Sequence, residues 1–189
     1  MLPKRYRWLE AEPGPRMIVE ALKEYGVAEK PGRGNNPRIL DWQRELKAAG
    51  MGRAYGGFYD ADAIPWCGLF MAIVAHRANP EKRAARHPPK LYLAALQWSG
   101  WGRSIDQTEA CLGDVLVFKR TGGGHVGLYV GHDDAGFHVL GGNQADRVSI
   151  ARIARSRLHA VRRPAYRVPP LNIRPIRIAA AGALSTSEA

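Results

Sequence analysis

The chain has 189 residues, 46% of them apolar, and a formal net charge of +11. This length fits one domain with an appended segment and excludes two full domains. No apolar run reaches the roughly 20 residues of a transmembrane helix, and the opening sequence, MLPKRYRWLEAEPGPR, lacks the apolar region of a signal peptide. We therefore expect a protein without a transmembrane segment that is made in a cytoplasm without a signal peptide.

The positive charge is concentrated towards the end of the chain. From Arg147 to Ser187 there are nine arginines and no acidic residue. Such a surface attracts anions over a long range and with little specificity, so nucleic acid, anionic lipid and acidic polymers all fit it. The two cysteines, Cys67 and Cys111, are too few for a disulfide scaffold and too far apart in sequence for a local metal knuckle.

Helical spacing of apolar residues dominates the first part of the chain. The segment PRMIVEALKEYGV predicts a helix with Pro15 in its first turn and Gly26 as its stop. The segment NNPRILDWQRELKAAG predicts a second helix, capped by Asn36 and ended by Gly50. A third helix is expected to begin at Cys67, and PPKLYLAALQWSGWG predicts a fourth, shorter one.

The periodicity changes to that of strands after Cys111. Short segments rich in Val and Ile, separated by turn residues, predict an antiparallel meander: GDVLVFKR, HVGLYVGHD, FHVLGGN, RVSIARI and LHAVRRP. Helices followed by such a meander indicate an α+β fold. We expect a domain over 1–163, with a helical part at 1–110 and a sheet part at 111–163, followed by a Pro-, Arg- and Ala-rich tail or docking segment at 164–189.

The segment DAIPWCGLFMAIVAHRA places Cys67 in the first turn of an apolar helix. Pro65 disfavours helix at the residue before it, and the apolar run that follows Cys67 should lie in the core. At a helix start the unpaired backbone N–H groups favour an anion, and the thiolate is the reactive form of cysteine. Burial would act the other way, so an inert core thiol is the alternative interpretation of Cys67.

A nucleophilic cysteine needs a base, and His125 is the best-placed histidine. It follows the turn TGGG and begins the strand HVGLYVG, where a side chain can project from the rim of a sheet. If HVGLYVGHD and FHVLGGN form a hairpin around 133–136, His125 lies opposite Asn143 or Gln144. A slip of one residue exchanges the two amides, and a plain turn is the alternative interpretation of GGNQAD.

The cysteine, histidine and amide motifs together resemble those of the bacterial and phage papain-like cell-wall hydrolases, the group that contains the CHAP amidases and the NlpC-type peptidases. The matching segments are PWCGLF, GDVLVF, GHVGLYVG and GGNQADRVSI, and with NNPRILDW they look like a set of small phage or prophage hydrolases. The resemblance spans about 35–153. It implies a papain-like cysteine hydrolase fold, with N-terminal helices packed on a small antiparallel sheet.

The resemblance implies Cys67 as nucleophile, His125 as base and Asn143 as the group that orients the histidine, with Gln144 as the alternative third member. It implies a peptidoglycan hydrolase that cleaves an amide bond of the stem peptide by acyl transfer, without a metal or other cofactor. The NlpC pattern typically has DCSG at the nucleophile, whereas this chain has WCG and an amide as third group, which is more similar to CHAP. The aromatic side chains that could line a substrate groove are Tyr55, Phe58, Tyr59, Trp66 and Trp98, with a core role as the alternative.

Two other functions fit parts of the sequence. A metal hydrolase would use His125, His132 and His138 with Asp133 or Asp134, but the chain has no compact motif such as HExxH. A basic structural component of a phage particle, or a nucleic-acid-binding protein, would use the arginine-rich end. No zinc-finger, RRM or helix-turn-helix signature supports specific nucleic-acid binding.

The expected partner is therefore peptidoglycan, with contacts of the C-terminal tail to phage tail or baseplate proteins. A protein made in the host cytoplasm without a signal peptide would reach the cell wall by one of three routes. It would be released as an endolysin, carried on a virion, or injected as an antibacterial amidase effector.

Overall fold

A computed structural model describes residues 1–51, 59–180 and 182–186 of the chain. Within these ranges the protein has an α+β fold with three α-helices and one six-stranded antiparallel sheet. The helices are α1 (Arg16–Lys23), α2 (Pro37–Ala48) and α3 (Cys67–Arg77). In this described part of the chain, no helix has the length and apolar character needed to cross a membrane.

The sheet has the strand order β1-β6-β2-β3-β4-β5. Its strands are β1 (Arg103–Ile105), β2 (Val115–Arg120), β3 (Gly123–His132), β4 (Gly136–Gly141), β5 (Ser149–Ala154) and β6 (Leu158–Arg163). All five strands predicted from the sequence form. The register of the β3–β4 hairpin is also confirmed, because Leu128 pairs with Leu140 and a bulge near Gly131 then shifts the pairing by one residue.

Helix α3 is the centre of the main hydrophobic core. All nine residues from Cys67 to Ala75 are buried, as an apolar helix without a polar face requires. The helix packs against α1, α2, β3 and β4. Gly68 lets its first turn approach the preceding loop closely, since a Cβ at this position would lie 2.2 Å from the Tyr92 carbonyl oxygen. The start of α3, and Cys67 with it, is therefore tightly placed.

The ends of the first two helices follow the predicted signals. Pro15 directly precedes α1, and Gly26 adopts a left-handed backbone with φ 90° after it. The side chain of Asn36 caps α2 by accepting a hydrogen bond from the Arg38 N–H at 2.9 Å. Gly50 follows α2 with φ 78°. Capping and stop residues thus predict these helices correctly.

Two parts of the structure differ from the predicted elements. The predicted fourth helix contains only a 3-10 helix, Ala95–Gly100, in which the Trp98 indole N–H donates to the Tyr92 carbonyl at 3.0 Å. Strand β1 lies within 1–110, the part predicted to be helical, because it pairs with β6. A three-residue edge strand has too little alternation to be recognised from its own sequence.

The last strand breaks the predicted meander. β6 returns to pair with β2 instead of lying beside β5. This position buries Val161 with Leu116 and Phe118 in a second apolar cluster. A meander through β6 would have left this edge of β2 without a hydrogen-bonded neighbour, and the crossover pairs that edge while it buries Val161.

The C-terminal segment, described at 164–180 and 182–186, packs back on the domain. The Ile178 N–H donates to the His132 carbonyl, and the His132 N–H donates to the Ile176 carbonyl, both at 2.9 Å. Arg174 forms an ion pair with Glu12 at 2.6 Å. These contacts tie the segment to β3 and to the N-terminal part of the chain.

Candidate functional site

Cys67 is the first residue of α3, as the sequence predicts. The residue is only 4% exposed, and this burial raises the pKa of its thiol. The backbone N–H groups of Val126 and Gly68 lie within hydrogen-bond reach of the sulfur and oppose that shift, as does the charge of Arg120. The resting side chain is therefore a neutral thiol that meets the start of β3.

His125 lies near the start of β3 and is completely buried. It pairs across the sheet with Phe118, and the centroids of the two rings are 6.5 Å apart. The next residue, Val126, is the one whose N–H reaches the Cys67 sulfur. The fold thus brings together the beginnings of α3 and β3, which carry the predicted nucleophile and the predicted base.

Gln144 is the residue that holds His125. Its Oε1 lies 3.1 Å from the Nε2 of the histidine. The amide NH₂ group of Gln144 donates to the carbonyl oxygens of Ser149 at 2.6 Å, Val139 at 3.2 Å and Gly141 at 3.3 Å. Because these acceptors orient the amide, its oxygen must accept the hydrogen bond from the ring. His125 therefore carries a proton on Nε2.

Asn143, the first choice for the third member, contacts other groups. Its backbone is left-handed, with φ 56°. The amide orientation that satisfies its surroundings donates from Nδ2 to Glu29 Oε1 at 3.1 Å and accepts at Oδ1 from the Trp66 N–H at 3.2 Å. The structure therefore places Gln144, the alternative, against His125. The assignment of Asn143 as the group that orients His125 is therefore corrected: Asn143 binds Trp66, the N-cap of α3.

Two glycines leave room for this arrangement. A Cβ at Gly141 would lie 3.0 Å from Gln144 Oε1 and 3.2 Å from His125 Nε2. A Cβ at Gly142 would lie 2.6 Å from Phe70 Cβ. Each residue of GGNQ is thus constrained: the two glycines by the side chains next to them, and Asn143 and Gln144 by their hydrogen bonds. A plain turn, the alternative interpretation of this segment, would require none of these contacts.

The aromatic residues predicted to line a groove belong to the core. Trp66 and Trp98 are fully buried, and Tyr59 is 5% exposed. Both indole N–H groups are hydrogen-bonded inside the protein. The groove assignment of these three side chains is corrected, because packing around α3 leaves them almost no surface for a ligand. The two further candidates, Tyr55 and Phe58, lie outside the described residues.

The side chains of the metal alternative are bound to other protein groups. His138 Nε2 lies 3.0 Å from Asp133 Oδ2, and His132 Nδ1 lies 2.6 Å from the Tyr129 hydroxyl. The remaining carboxylate of that alternative, Asp134, forms an ion pair with Arg177 at 2.6 Å. Among the residues that the structure describes, no group of three or more His, Cys, Asp or Glu side chains could hold a metal ion.

Glu29 is a member of the site that the sequence pattern does not predict. Its carboxylate binds both Trp66 and Asn143, which are the chain neighbours of Cys67 and Gln144. Burial raises the pKa of Glu29, and the hydrogen bond from Trp66 opposes this shift. The only sequence signal is an acidic residue in the loop after α1, and nothing in that loop identifies its distant partners.

No protein-family model, curated protein or solved structure matches the chain. The chain is therefore classified by its own fold and site. It is an α+β protein in which one helix and one hairpin bring a cysteine, a histidine and a glutamine together below the surface.

Proposed function

We propose that the protein is a papain-like thiol hydrolase that cleaves an amide bond of the peptidoglycan stem peptide. Cys67 is the nucleophile, His125 the base and Gln144 the group that orients the base. The observation that carries the proposal is the 3.1 Å contact of His125 Nε2 with Gln144 Oε1, next to a cysteine at a helix start. The order of the motifs supports it, because they resemble those of papain-like cell-wall hydrolases.

The contacts of Gln144 assign the roles of the two ring nitrogens of His125. Since Nε2 donates to the amide, Nδ1 is the atom that takes the proton from the Cys67 thiol. Burial raises the pKa of that thiol, so the resting enzyme holds it protonated. The proton therefore passes to His125 before or during the attack on the substrate.

The reaction is acyl transfer in two steps. The Cys67 sulfur bonds to the carbonyl carbon of the substrate, and the amine leaves with the proton that His125 has taken. Water then gives a proton to His125 and attacks the thioester, which releases the acid and restores the thiol. The backbone N–H of Cys67 at the start of α3 stabilises the developing oxyanion, and loss of a comparable donor costs roughly 3 kcal/mol.

The charge of the chain supports an acidic polymer as substrate. A net charge of +11 raises the local concentration of the protein at anionic cell-wall material. We place its action at the bacterial cell wall, as a phage endolysin or as a virion- or tail-associated hydrolase made in the host cytoplasm. An injected antibacterial amidase would use the same chemistry with another route of delivery.

Digestion of purified peptidoglycan by the wild type and by Cys67→Ala tests the proposal. The wild type is expected to release fragments whose masses identify the cleaved amide bond, and Cys67→Ala is expected to release none. A wild type that releases nothing in reductant from several peptidoglycan types would contradict it. So would a Cys67→Ala variant that cleaves as well as the wild type.

A second function is a basic structural component of a phage particle on an inactive hydrolase fold. The burial of the site favours it, since Cys67 is 4% and His125 0% exposed. In that case Cys67→Ala would join particles as well as the wild type does, and neither would cleave peptidoglycan. Contacts with tail or baseplate proteins would then use the surface of the C-terminal segment that faces away from the domain.

A further inference from the structure

One carboxylate joins the two halves of the proposed site. The Trp66 indole Nε1 donates to Glu29 Oε1 at 2.7 Å, and Asn143 Nδ2 donates to the same oxygen at 3.1 Å. The Trp66 backbone N–H donates to Asn143 Oδ1 at 3.2 Å, which closes a ring of three residues. We call Glu29, Trp66 and Asn143 the Glu29 ring.

The backbone around Glu29 is itself fixed to the loop that carries Asn143. The Glu29 N–H donates to the Asp146 carbonyl at 2.8 Å, and the Val148 N–H donates to the Val27 carbonyl at 2.7 Å. Residues 26–29 therefore run antiparallel to 146–148, and the carboxylate has a defined position. Because the side chain is only partly buried, Glu29 also borders a cleft of about 540 Å³.

The ring acts on both catalytic partners through their chain neighbours. Trp66 is the N-cap residue directly before α3, so its two hydrogen bonds set where Cys67 lies. Asn143 holds the left-handed turn from which the Gln144 side chain reaches back to His125. Attack by a thiol needs its base to be in place, and a displacement of about 1 Å can lower a rate roughly a hundredfold.

We propose that Glu29 is a positioning residue that couples the placement of Cys67 to the orientation of His125. The inference rests on the proposed hydrolase function. Glu29 acts through Trp66 and Asn143, and its role requires a hydrogen-bond acceptor, not a proton donor. Within the described residues no donor contacts Oε2, so an amide NH₂ group fits there and Glu29→Gln keeps the acceptor of the ring.

Three variants and two measurements test this role. Glu29→Ala removes the acceptor, Glu29→Gln keeps it, and Glu20→Ala is the matched control, because it removes a partly buried carboxylate of α1 that pairs with Lys23. The ring nitrogens of His125 are observed by ¹⁵N NMR, with the signals assigned by their loss in His125→Asn. The values of kcat and KM are measured on soluble peptidoglycan fragments.

We expect Glu29→Ala to lose the single Nε2-protonated form of His125 and to lower kcat about 10- to 100-fold with little change in KM. Glu29→Gln should retain the wild-type signal and stay within about threefold in kcat, as should Glu20→Ala. A Glu29→Ala protein that folds and keeps both the His125 signal and kcat would overturn the proposal. So would a Glu29→Gln protein as impaired as Glu29→Ala.

A variant of Asn143 keeps the test decisive if Glu29→Ala does not fold. Asn143→Gly tolerates the left-handed backbone and removes both side-chain hydrogen bonds of Asn143, one of which Glu29→Ala also removes, so it should change the His125 signal in the same way. An unchanged signal in Asn143→Gly would overturn the proposal. If the wild type cleaves nothing, the proposed hydrolase function fails, whereas the NMR comparison still decides whether the Glu29 ring orients His125.

Discussion

The β3–β4 hairpin carries two fully buried histidines with different surroundings. His138 has its Nδ1 2.6 Å from the Tyr6 hydroxyl and its Nε2 3.0 Å from Asp133. His125 has its Nε2 3.1 Å from the neutral side chain of Gln144 and adjoins the start of α3. Since His138 pairs with Gly131, the two lie roughly 20 Å apart along the hairpin at the rise of a β-strand.

The charge of the partner distinguishes these two histidines. Asp133 accepts hydrogen bonds from Arg152 at 2.7 and 2.8 Å, and this pairing holds the pKa of Asp133 well below its usual range. His138 is thus fixed between an ion pair and Tyr6, and it ties the N-terminal 3-10 helix, Lys4–Ala11, to the hairpin turn. Gln144 orients His125 without supplying a charge. An imidazole held this way can accept a proton and return it.

Replacing each histidine by asparagine should give the largest effects among the predictions. It should show that His125 serves hydrolysis whereas His138 serves the stability of the fold. His125→Asn is expected to lower peptidoglycan hydrolysis by about 10²- to 10⁴-fold, because it removes the base. His138→Asn is expected to retain hydrolysis and to lower the free energy of unfolding by about 1–3 kcal/mol, because it breaks buried hydrogen bonds. Fragment release and urea denaturation measure the two effects. A folded His138→Asn protein as inactive as His125→Asn would remove the distinction.

Removing the amide that holds His125 should give the next largest effect. Gln144→Ala leaves the ring without its acceptor and is expected to lower kcat by roughly 10- to 100-fold. Ser149→Ala is the matched control, because it keeps the backbone carbonyl that accepts the 2.6 Å hydrogen bond from Gln144 and removes only the two longer contacts of the Ser149 hydroxyl with Gln144, at 3.2 and 3.5 Å. This control should stay within about twofold of the wild type in kcat. Equal activity of all three proteins would show that Gln144 does not orient a base.

The choice between the two amides marks the limit of what the sequence predicts. Alternation and turn residues predict the hairpin register, and capping residues predict the helix starts, because these signals are local. Whether Asn143 or Gln144 faces His125 depends on the turn after β4, in which Asn143, Ala145 and Asp146 all have a left-handed backbone. It also depends on Glu29, which is distant in sequence. Neither the turn geometry nor a contact over that distance can be deduced from one chain.

The position of β6 in the sheet could not be predicted for the same reason. The sequence of β6 predicts a strand, but its neighbour is decided by which open edge of the sheet also needs apolar cover. Val161 satisfies that need beside β2. The C-terminal segment lacks a core pattern for a related reason. It contributes single apolar residues such as Ile176 and Ile178 to a surface formed by other elements.

The stability of the protein should depend on pH through His138, a smaller effect than the losses of activity. Burial lowers the pKa of His138, so below the ordinary value of about 6.5 the unfolded chain binds a proton that the folded chain does not. The stabilisation is present above that pH and is lost as the pH falls. We expect the free energy of unfolding to decrease between pH 7 and pH 5.5, and to decrease less in His138→Asn. Equal slopes in urea titrations of both proteins would contradict this.

The smallest expected effect is on the reactivity of the two cysteines in the absence of substrate. Burial raises the pKa of both Cys67 and Cys111, so iodoacetamide should alkylate each slowly at pH 7. His125→Asn should slow the alkylation of Cys67 severalfold and leave that of Cys111 unchanged, because Cys67 lies at Val126, the residue after His125, whereas the Cys111 thiol donates to the Glu109 carbonyl. Peptide mass spectrometry follows both residues in one sample. If the substitution changed neither rate, His125 would not act on the thiol, and its difference from His138 would be one of packing alone.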